Sequence, residues 1–419
     1  MDKWGVFSVT ERARLILSTS STLCLLLYTR PMPNWLTTRL TTDLADRQQR
    51  GLFRSLTLAE SAIDFTSNDY LGIGRSGTLH DQLTQAATSQ TRNGATSSRL
   101  LAGHTLLADR VETELAKFYR AETALLFNAG YMANLGLLAC LPQRGDTLLT
   151  DELIHASLID GARLSKANRI RFAHNDLTDL ETKLRAAFLQ GGNVFVVVES
   201  LYSMDGDEAP LVEIAALCTA FNAALIVDEA HASGVYGPGG AGLVAAHGLQ
   251  DQVLARVHTF GKALGVHGAA VLGSPLLRTY LINTARPLIY ATALPPHDLL
   301  AIELAHAKVA AEPERAALLH ERVAYFHKKR GQLAPEAVWL PSTSPIQGLL
   351  VPGNAEVRQV AAALQAAGFD VRPIVSPTVA AGQERIRICL HTYNTEAEID
   401  GLLLALTVAL QSATATFVA

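Results

Sequence analysis

One lysine in this chain has neighbours that favour reactivity. Lys262 stands between Phe260-Gly261 and Ala263-Leu264, just after a short apolar run that is typical of a strand. A weakly polar setting disfavours the charged ammonium and lowers the pKa of the amine, so that a neutral nucleophile able to form a Schiff base becomes available. A surface lysine at a turn is the ordinary alternative, but the apolar flanks and the strand-end position favour the reactive one.

A carboxylate lies thirty-four residues before that lysine. Asp228 ends the apolar run 224–227, so its side chain is expected to be buried, and a buried carboxylate needs a partner. An arginine would make a structural salt bridge, and a protonated pyridine nitrogen would serve equally well. Together the two residues predict a pyridoxal-5′-phosphate (PLP) enzyme, with the cofactor held as a Schiff base on Lys262 and paired at its ring nitrogen with Asp228.

Other polar residues follow similar apolar runs, at the sheet edge where ligands of open α/β folds bind. Gly130 and Tyr131 open a helix whose free N–H groups suit a phosphate. The hydroxyl donors and imidazoles at this edge are Ser203, Thr259, His155 and His231. His155 is predicted to stack on the cofactor ring and His231 to donate to its phenolate oxygen, although a core role fits either histidine taken singly.

Short apolar runs alternate with segments of helical period from residue 63 onward. The runs cover residues 124–127, 147–150, 194–199, 224–227, 255–258 and 269–272. Most are apolar on consecutive residues, which is typical of parallel strands covered on both faces. The clearest helices between them cover residues 106–119, 179–188 and 211–221. The alternation predicts an α/β fold with a mostly parallel, three-layer sheet.

The predicted organisation has four parts. Residues 1–31 form an extension outside the fold, whose apolar run is too short to span a bilayer and lacks a cleavage site; a targeting segment is the lesser alternative. Residues 32–62 form an amphipathic helical arm, with helical periodicity from 34 to 58. Residues 63–297 form a large cofactor-binding domain, and residues 298–419 a smaller C-terminal α+β domain that opens with one long helical stretch.

The composition excludes several classes of protein. Of 419 residues, 49% are hydrophobic and 18% charged, which indicates a globular chain. The net charge of −4 gives no basic surplus for nucleic acid. Four cysteines lack metal-like or disulfide-like spacing, which fits a reducing compartment and hence a cytoplasmic protein. No metal site is expected.

Two motif matches lead elsewhere and are rejected. Residues 228–231 spell the DEAH box of some helicases, but a nucleotide-driven motor needs a phosphate-binding loop upstream, and the chain has none. Residues 237–242 fit the G-x-G-x-x-G pattern of dehydrogenases, but Pro238 interrupts it and no strand leads directly into it. We interpret this segment as a glycine-rich loop.

The motifs together resemble those of the α-oxoamine synthases, which are fold-type I PLP enzymes that condense an amino acid with an acyl thioester and release carbon dioxide. The similarity is carried, in chain order, by residues 65–72 (FTSNDYLG), 98–104 (SRLLAGH), 202–207 (YSMDGD), 228–231 (DEAH) and 259–265 (TFGKALG). It extends from about residue 44 to the C-terminus. The resemblance implies a PLP-dependent acyltransferase and a homodimer with its active site at the subunit interface.

The resemblance also implies a role for each matching residue. Lys262, His155 and Asp228 would be catalytic. The cofactor would contact Gly130, Tyr131, His155, Ser203, Asp228, His231, Thr259, Lys262 and, from the second subunit, Thr292. The substrates would contact Arg54, Asn68, His155, Thr378 and Arg387. Of these, Arg387 would grip the amino-acid carboxylate with two parallel hydrogen bonds.

Within the family, residues 285–296 (ARPLIYATALPP) and 172–176 (FAHND) are most similar to the branch that joins L-alanine to a pimeloyl thioester in biotin synthesis. The expected partners are L-alanine and pimeloyl-CoA or pimeloyl-acyl carrier protein, with no nucleic acid and no membrane. The close alternatives use glycine, as glycine C-acetyltransferase and 5-aminolevulinate synthase do; serine palmitoyltransferase differs in its lysine motif. Departures from the family pattern at residues 95–97, 375–376 and His267 concern the thioester pocket rather than the chemistry.

Overall fold

The computed structural model describes residues 33–56, 62–88 and 92–418, with side chains up to residue 412. The predicted extension, residues 1–31, lies outside the described residues. Contacts divide the chain into two compact units, residues 1–58 and residues 59–419, which are described separately.

The first unit contains helix α1 (Asn34–Gln49), whose residues are all exposed or half-buried. The helix is shorter than the predicted 34–58 because Gly51 stops it. With a φ of 65°, Gly51 donates its N–H to Gln48 O, and Leu52 donates to Arg47 O. This pair of bonds is the Schellman arrangement that ends helices at a left-handed glycine. The predicted helical arm is therefore wrong for residues 50–56, and its remaining part up to residue 61 lies outside the described residues.

In the second unit, the described residues form twelve strands. They are β1 (Ile63–Asp64), β2 (Thr123–Phe127), β3 (Thr147–Asp151), β4 (Asn168–Phe172), β5 (Val194–Glu199), β6 (Ala224–Asp228), β7 (Val253–Thr259), β8 (Ala269–Gly273), β9 (Ile346–Leu350), β10 (Phe369–Asp370), β11 (Arg372–Ile374) and β12 (Arg385–Cys389). The central sheet has the order β2-β8-β7-β6-β5-β3-β4. Its pairs are parallel except that β8 runs antiparallel to β2 and β7. The predicted mostly parallel sheet is confirmed.

The helices of the second unit cover both faces of this sheet and the smaller sheets beyond it. They are α2 (His80–Ala87), α3 (Leu106–Phe118), α4 (Gly130–Cys140), α5 (Ala156–Leu164), α6 (Leu177–Gln190), α7 (Leu211–Ala220), α8 (Leu243–Ala246), α9 (Pro275–Thr284), α10 (Arg286–Ile289), α11 (Pro296–Ala311), α12 (Glu314–Leu333), α13 (Asn354–Ala366) and α14 (Glu396–Val418). The predicted single stretch after Pro295 is two helices, because Pro313 cannot continue α11. In the described part of the chain, no helix is both long enough and apolar enough to cross a bilayer.

Two hydrophobic cores hold these elements together. The first surrounds the central sheet and includes α11, whose buried residues pack with those of α3. The second lies on the antiparallel sheet β11-β12-β9 and gathers α13, α14 and the later half of α12. Core membership changes along α12, between Leu319 and Val323. The domain boundary between residues 297 and 298 stays a prediction.

Candidate active site

Three adjacent parallel strands bring the predicted residues to one edge of the sheet. Glu199, the last residue of β5, is the register partner of Asp228, the last residue of β6. Asp228 is in turn opposite Val257 of β7, which continues to Thr259 and then to Lys262. Residues in register on adjacent strands point to the same face of a sheet, so the two carboxyl groups lie side by side, and both are buried.

The carboxylate of Asp228 is held by neutral donors. Asn134 donates from Nδ2 to Asp228 Oδ2 over 2.6 Å, and the backbone N–H of Ala230 donates to Oδ1 over 2.8 Å. Neither partner is the arginine that a structural salt bridge requires. The negative charge is therefore fixed in position by hydrogen bonds and stays available to a cationic ligand.

Lys262 lies on a short, closed connection between the antiparallel strands β7 and β8. Phe260 donates its N–H to Gly268 O over 3.0 Å and accepts at its carbonyl from Val266 over 2.9 Å, while Gly265 donates to Lys262 O over 2.8 Å. These bonds fix the backbone that carries the lysine. The residue as a whole is half-buried, while its amine is enclosed.

The protonation of Lys262 is set by its surroundings. Burial lowers the pKa of the amine to about 8, although the negative charges of Asp228 and Glu199 oppose the change. Burial and the neighbouring Asp228 raise the pKa of Glu199 well above its ordinary value, while the positive charge of Lys262 opposes the change. A substantial fraction of neutral amine is therefore present at mildly alkaline pH, as a Schiff-base lysine requires.

His155 joins the same group of residues from the start of α5. Its Nδ1 accepts the N–H of Ser157 over 3.2 Å, and its own N–H donates to Glu199 Oε1 over 2.5 Å. Burial lowers the pKa of His155, while Asp228 opposes and Lys262 adds to that effect. Because Nδ1 is an acceptor, the proton of the neutral imidazole lies on Nε2, where it can be donated.

The start of α4 offers an anion site. Ala129 caps the helix without a side-chain hydrogen bond, so the first N–H groups have no partner of that kind. A Cβ on Gly130 would come within 3.2 Å of Thr259 Cβ, so glycine allows the helix start and the end of β7 to meet. The backbone N–H of Tyr131 belongs to this first turn, and the hydroxyl of Tyr131 donates to Asp160.

The site fits PLP on three structural grounds. An amine of lowered pKa and a buried carboxylate with neutral partners lie near each other, because the charge of Asp228 acts on Lys262 and the charges of both residues act on Glu199. The uncapped helix start, with Thr259 beside Gly130, suits the phosphate. The Oδ1 atom of Asn134 is buried without a hydrogen-bond partner beside Asp228, as is expected where a ligand completes the packing.

Arg387 reaches this region from β12 and meets two further predicted residues. Its Nε donates to Ser203 O over 2.7 Å and its Nη2 to Asn68 Oδ1 over 3.0 Å, while Nη1 contacts Cys389 Sγ at 2.9 Å. The guanidinium is buried, at 9% exposure. None of these contacts is made with an anion, so the guanidinium charge remains available to a substrate carboxylate.

His231 is a buried, neutral imidazole in the same pocket. Its Nδ1 lies 2.8 Å from the hydroxyl of Tyr70. Burial and the positive charges of Lys262 and Arg387 lower the pKa of His231 well below its ordinary value. The contact of Tyr70 with His231 was not predictable from the sequence, because 161 residues separate the two in the chain.

Three predicted residues lie elsewhere or cannot be related to this pocket. Arg54 belongs to the first unit, where it is exposed. Thr378 is exposed on the connection between β11 and β12. Thr292 accepts from Asn128 Nδ2 at its carbonyl over 2.9 Å and pairs with Ser98. Their roles in binding stay predictions. Among the described residues, no group of three or more His, Cys, Asp or Glu is arranged to hold a metal ion.

The sequence did not predict that His174, Asp151 and Asp207 form a charged cluster beside the pocket. His174 bridges Asp151, 3.0 Å from Nδ1, and Asp207, 2.8 Å from Nε2. Burial alone would lower the pKa of His174, but the hydrogen bonds and charges of the two carboxylates outweigh it and raise the pKa to about 10. The imidazolium therefore ties the end of β3 to the loop that carries Ser203.

The cluster predicts a dependence of stability on pH. Because the pKa of His174 is raised by folding, its stabilisation is fully present below the ordinary pKa of 6.5 and is lost as the pH rises through about 10. The full effect is a few kcal/mol, at about 1.4 kcal/mol for each pKa unit. We expect His174→Gln to lower the urea midpoint strongly at pH 7 and weakly at pH 10. The exposed His247→Gln is the control, and a His174→Gln deficit that stays constant between these pH values would contradict the assignment.

Comparisons with known proteins agree with this geometry. A family model described as aminotransferase class I and II matches residues 60–406. An 8-amino-7-oxononanoate synthase of Emericella nidulans is 41% identical over 398 residues, which cover 88% of this chain and 95% of the relative. A second, from Marinobacter nauticus, is 40% identical over 377 residues, which cover 87% and 94%.

Solved structures give the same result for the fold. An 8-amino-7-oxononanoate synthase from Francisella tularensis has a TM-score of 0.73 at 28% identity, covering 84% of this chain and 99% of the other. A serine palmitoyltransferase from S. paucimobilis with bound PLP–myriocin aldimine has a TM-score of 0.82 at 26% identity, covering 90% and 98%. The fold-type I prediction is confirmed. The chain belongs to the class I and II aminotransferase family and, within it, to the α-oxoamine synthases that its motifs predicted.

Proposed function

We propose that this chain is a PLP-dependent acyltransferase that condenses L-alanine with a pimeloyl thioester, releases carbon dioxide and gives 8-amino-7-oxononanoate for biotin synthesis. The observation that carries the proposal is the identity of about 40% to 8-amino-7-oxononanoate synthases over nearly the whole of both chains. A cytoplasmic homodimer is part of the proposal. The acyl carrier is either coenzyme A or acyl carrier protein.

The residues of the pocket support this chemistry. PLP, when bound, supplies a protonated ring that takes up the electron pair left at the amino-acid Cα. Asp228 would hold the ring nitrogen and keep it protonated. The neutral amine of Lys262 takes the Cα proton and later returns it, which its pKa of about 8 permits.

Two further residues position the substrates. Arg387, which is buried and whose hydrogen bonds to Ser203, Cys389 and Asn68 involve no carboxylate, binds the carboxylate of the amino acid. His155 donates from Nε2 to the oxyanion that develops at the thioester carbonyl, because its Nδ1 is already occupied by Ser157.

Similarity of fold alone does not determine which substrates are used. The serine palmitoyltransferase superposes at least as well as the 8-amino-7-oxononanoate synthase, with TM-scores of 0.82 and 0.73. Its sequence identity of 26% is close to the 28% of the solved 8-amino-7-oxononanoate synthase, but other 8-amino-7-oxononanoate synthases are 40% and 41% identical over most of the chain. Since substrate choice depends on pocket side chains rather than on the fold, the sequence identity favours alanine and a pimeloyl group.

A direct test compares amino acids and acyl donors. The protein, loaded with PLP, is incubated with pimeloyl-CoA and alanine, glycine or serine, and the released thiol is measured. We expect alanine to be preferred over glycine by roughly tenfold or more in kcat/KM, since one methyl group contributes about that much in an apolar pocket. A parallel arm uses pimeloyl-acyl carrier protein. Faster turnover of glycine with acetyl-CoA than of alanine with either pimeloyl donor would overturn the proposal.

A further inference from the structure

A chain of hydrogen bonds connects Arg387 to His231. Arg387 Nη2 donates to Asn68 Oδ1 over 3.0 Å, the hydroxyl of Tyr70 lies 3.1 Å from the same oxygen, and His231 Nδ1 lies 2.8 Å from that hydroxyl. Tyr70 is fully buried, and His231 is 4% exposed. The chain thus joins the predicted carboxylate-binding residue to the histidine on the cofactor side.

The direction of every bond in this chain can be deduced. Arginine only donates, so the Asn68 atom that faces it must be the carbonyl oxygen, which only accepts. The contact between Tyr70 and Asn68 is then possible only if the single hydroxyl proton of Tyr70 points to Asn68. The oxygen of Tyr70 must therefore accept from His231, which requires a proton on Nδ1.

The second nitrogen of His231 follows from the first. A cation at this position is excluded by burial and by the charges of Lys262 and Arg387, which hold the pKa of His231 well below its ordinary value. A neutral imidazole carries one proton, and Nδ1 has it. The Nε2 atom is therefore an acceptor.

We propose that Tyr70 is a positioning residue that holds His231 in its Nδ1–H tautomer, so that the cofactor pocket faces an unprotonated Nε2. His231 then accepts a hydrogen bond from the group it meets there, instead of donating one to a phenolate as the sequence analysis predicted. The inference rests on the proposed function only for the identity of the group that donates to Nε2. In that function the donor is the ring hydroxyl of PLP, with its proton present.

Nitrogen-15 NMR of the full chain with labelled histidine tests the tautomer directly, with and without PLP. We expect His231, assigned by its loss in His231→Asn, to show the Nδ1–H pattern in the wild type. In Tyr70→Phe the acceptor for Nδ1–H is gone, so the Nε2–H pattern is expected. The matched control is Tyr236→Phe, because the hydroxyl of Tyr236 is buried without a hydrogen-bond partner and its removal should leave the pattern unchanged.

Kinetics of the same variants give a second readout. Because Asn68 joins Tyr70 to Arg387, Tyr70→Phe is expected to raise the KM for the amino acid roughly tenfold, as for a lost buried hydrogen bond, with a smaller change in kcat. An Nε2–H pattern in the wild type would overturn the inference, as would a pattern that Tyr70→Phe does not alter. The spectra can be recorded without turnover. If Tyr70→Phe showed the same His231 tautomer as the wild type while the wild type used alanine rapidly, this inference alone would be rejected. A correct tautomer without such turnover would reject only the proposed function.

Discussion

Lys262→Ala is expected to lower the rate of thiol release from pimeloyl-CoA with alanine by at least ~10³-fold. The variant loses both the covalent link to the cofactor and the base that moves the Cα proton, and general-base catalysis alone contributes roughly 10²–10⁴-fold. It is also expected to lack the visible absorption that a lysine-linked cofactor gives the wild type. Spectra and initial rates, recorded after incubation with PLP, measure both effects.

The control for this variant is Lys117→Ala. The Lys117 side chain is 67% exposed and pairs with Glu114 one turn earlier on α3, so its loss is expected to leave spectrum and rate unchanged. A wild-type protein that stays colourless with added PLP would contradict the assignment of Lys262. Undiminished turnover by Lys262→Ala would do so as well.

Asp228→Asn is expected to reduce kcat by about 10²-fold or more while the protein stays folded. Asparagine preserves the size of the side chain but removes the charge that keeps a ring nitrogen protonated, and an electron sink depends on that proton. The new amide would also place an N–H group, or a weaker acceptor, opposite Asn134 Nδ2, which now donates over 2.6 Å. The rate and the urea midpoint, measured together, separate the electronic effect from simple unfolding.

Asp176→Asn is the matched substitution. Asp176 caps α6 by accepting from Thr178 and Asp179, and asparagine caps helices as well as aspartate does, so rate and stability are expected to be retained. If Asp228→Asn kept the full rate as Asp176→Asn does, the carboxylate at position 228 would have no electronic role.

The sequence predicted the inner strands of the fold because they are apolar on consecutive residues. It missed β4 (Asn168–Phe172), which lies at the edge of the sheet. Most of its residues are exposed, and every second one is an arginine. The antiparallel direction of β8 was likewise not predictable, since a buried strand has the same apolar composition in either direction. Where Pro313 divides the long helical stretch, the signal was present in the sequence and was not used.

For the site, residues at strand ends were predictable, whereas partnerships across the fold were not. Lys262 and Asp228 each follow an apolar run, and their convergence follows from adjacent parallel strands. Glu199 also ends a strand, but the rise in its pKa depends on its register with Asp228, which the sequence alone does not give. The contacts of Tyr70 with His231 and of His174 with Asp207 join distant segments whose spacing carries no local pattern.

Helix α4 has two separate contacts with the site, and their spacing has a consequence for selectivity. Its first residue, Gly130, lies beside Thr259, where we expect the phosphate to bind, and Asn134, one turn later, donates to Asp228, the expected partner of the ring nitrogen. An α-helix rises about 1.5 Å per residue, so its own backbone keeps these two points about 6 Å apart along the axis. The helix thus fixes the distance between the two binding points. A phosphate ester of a different length would reach only one of them.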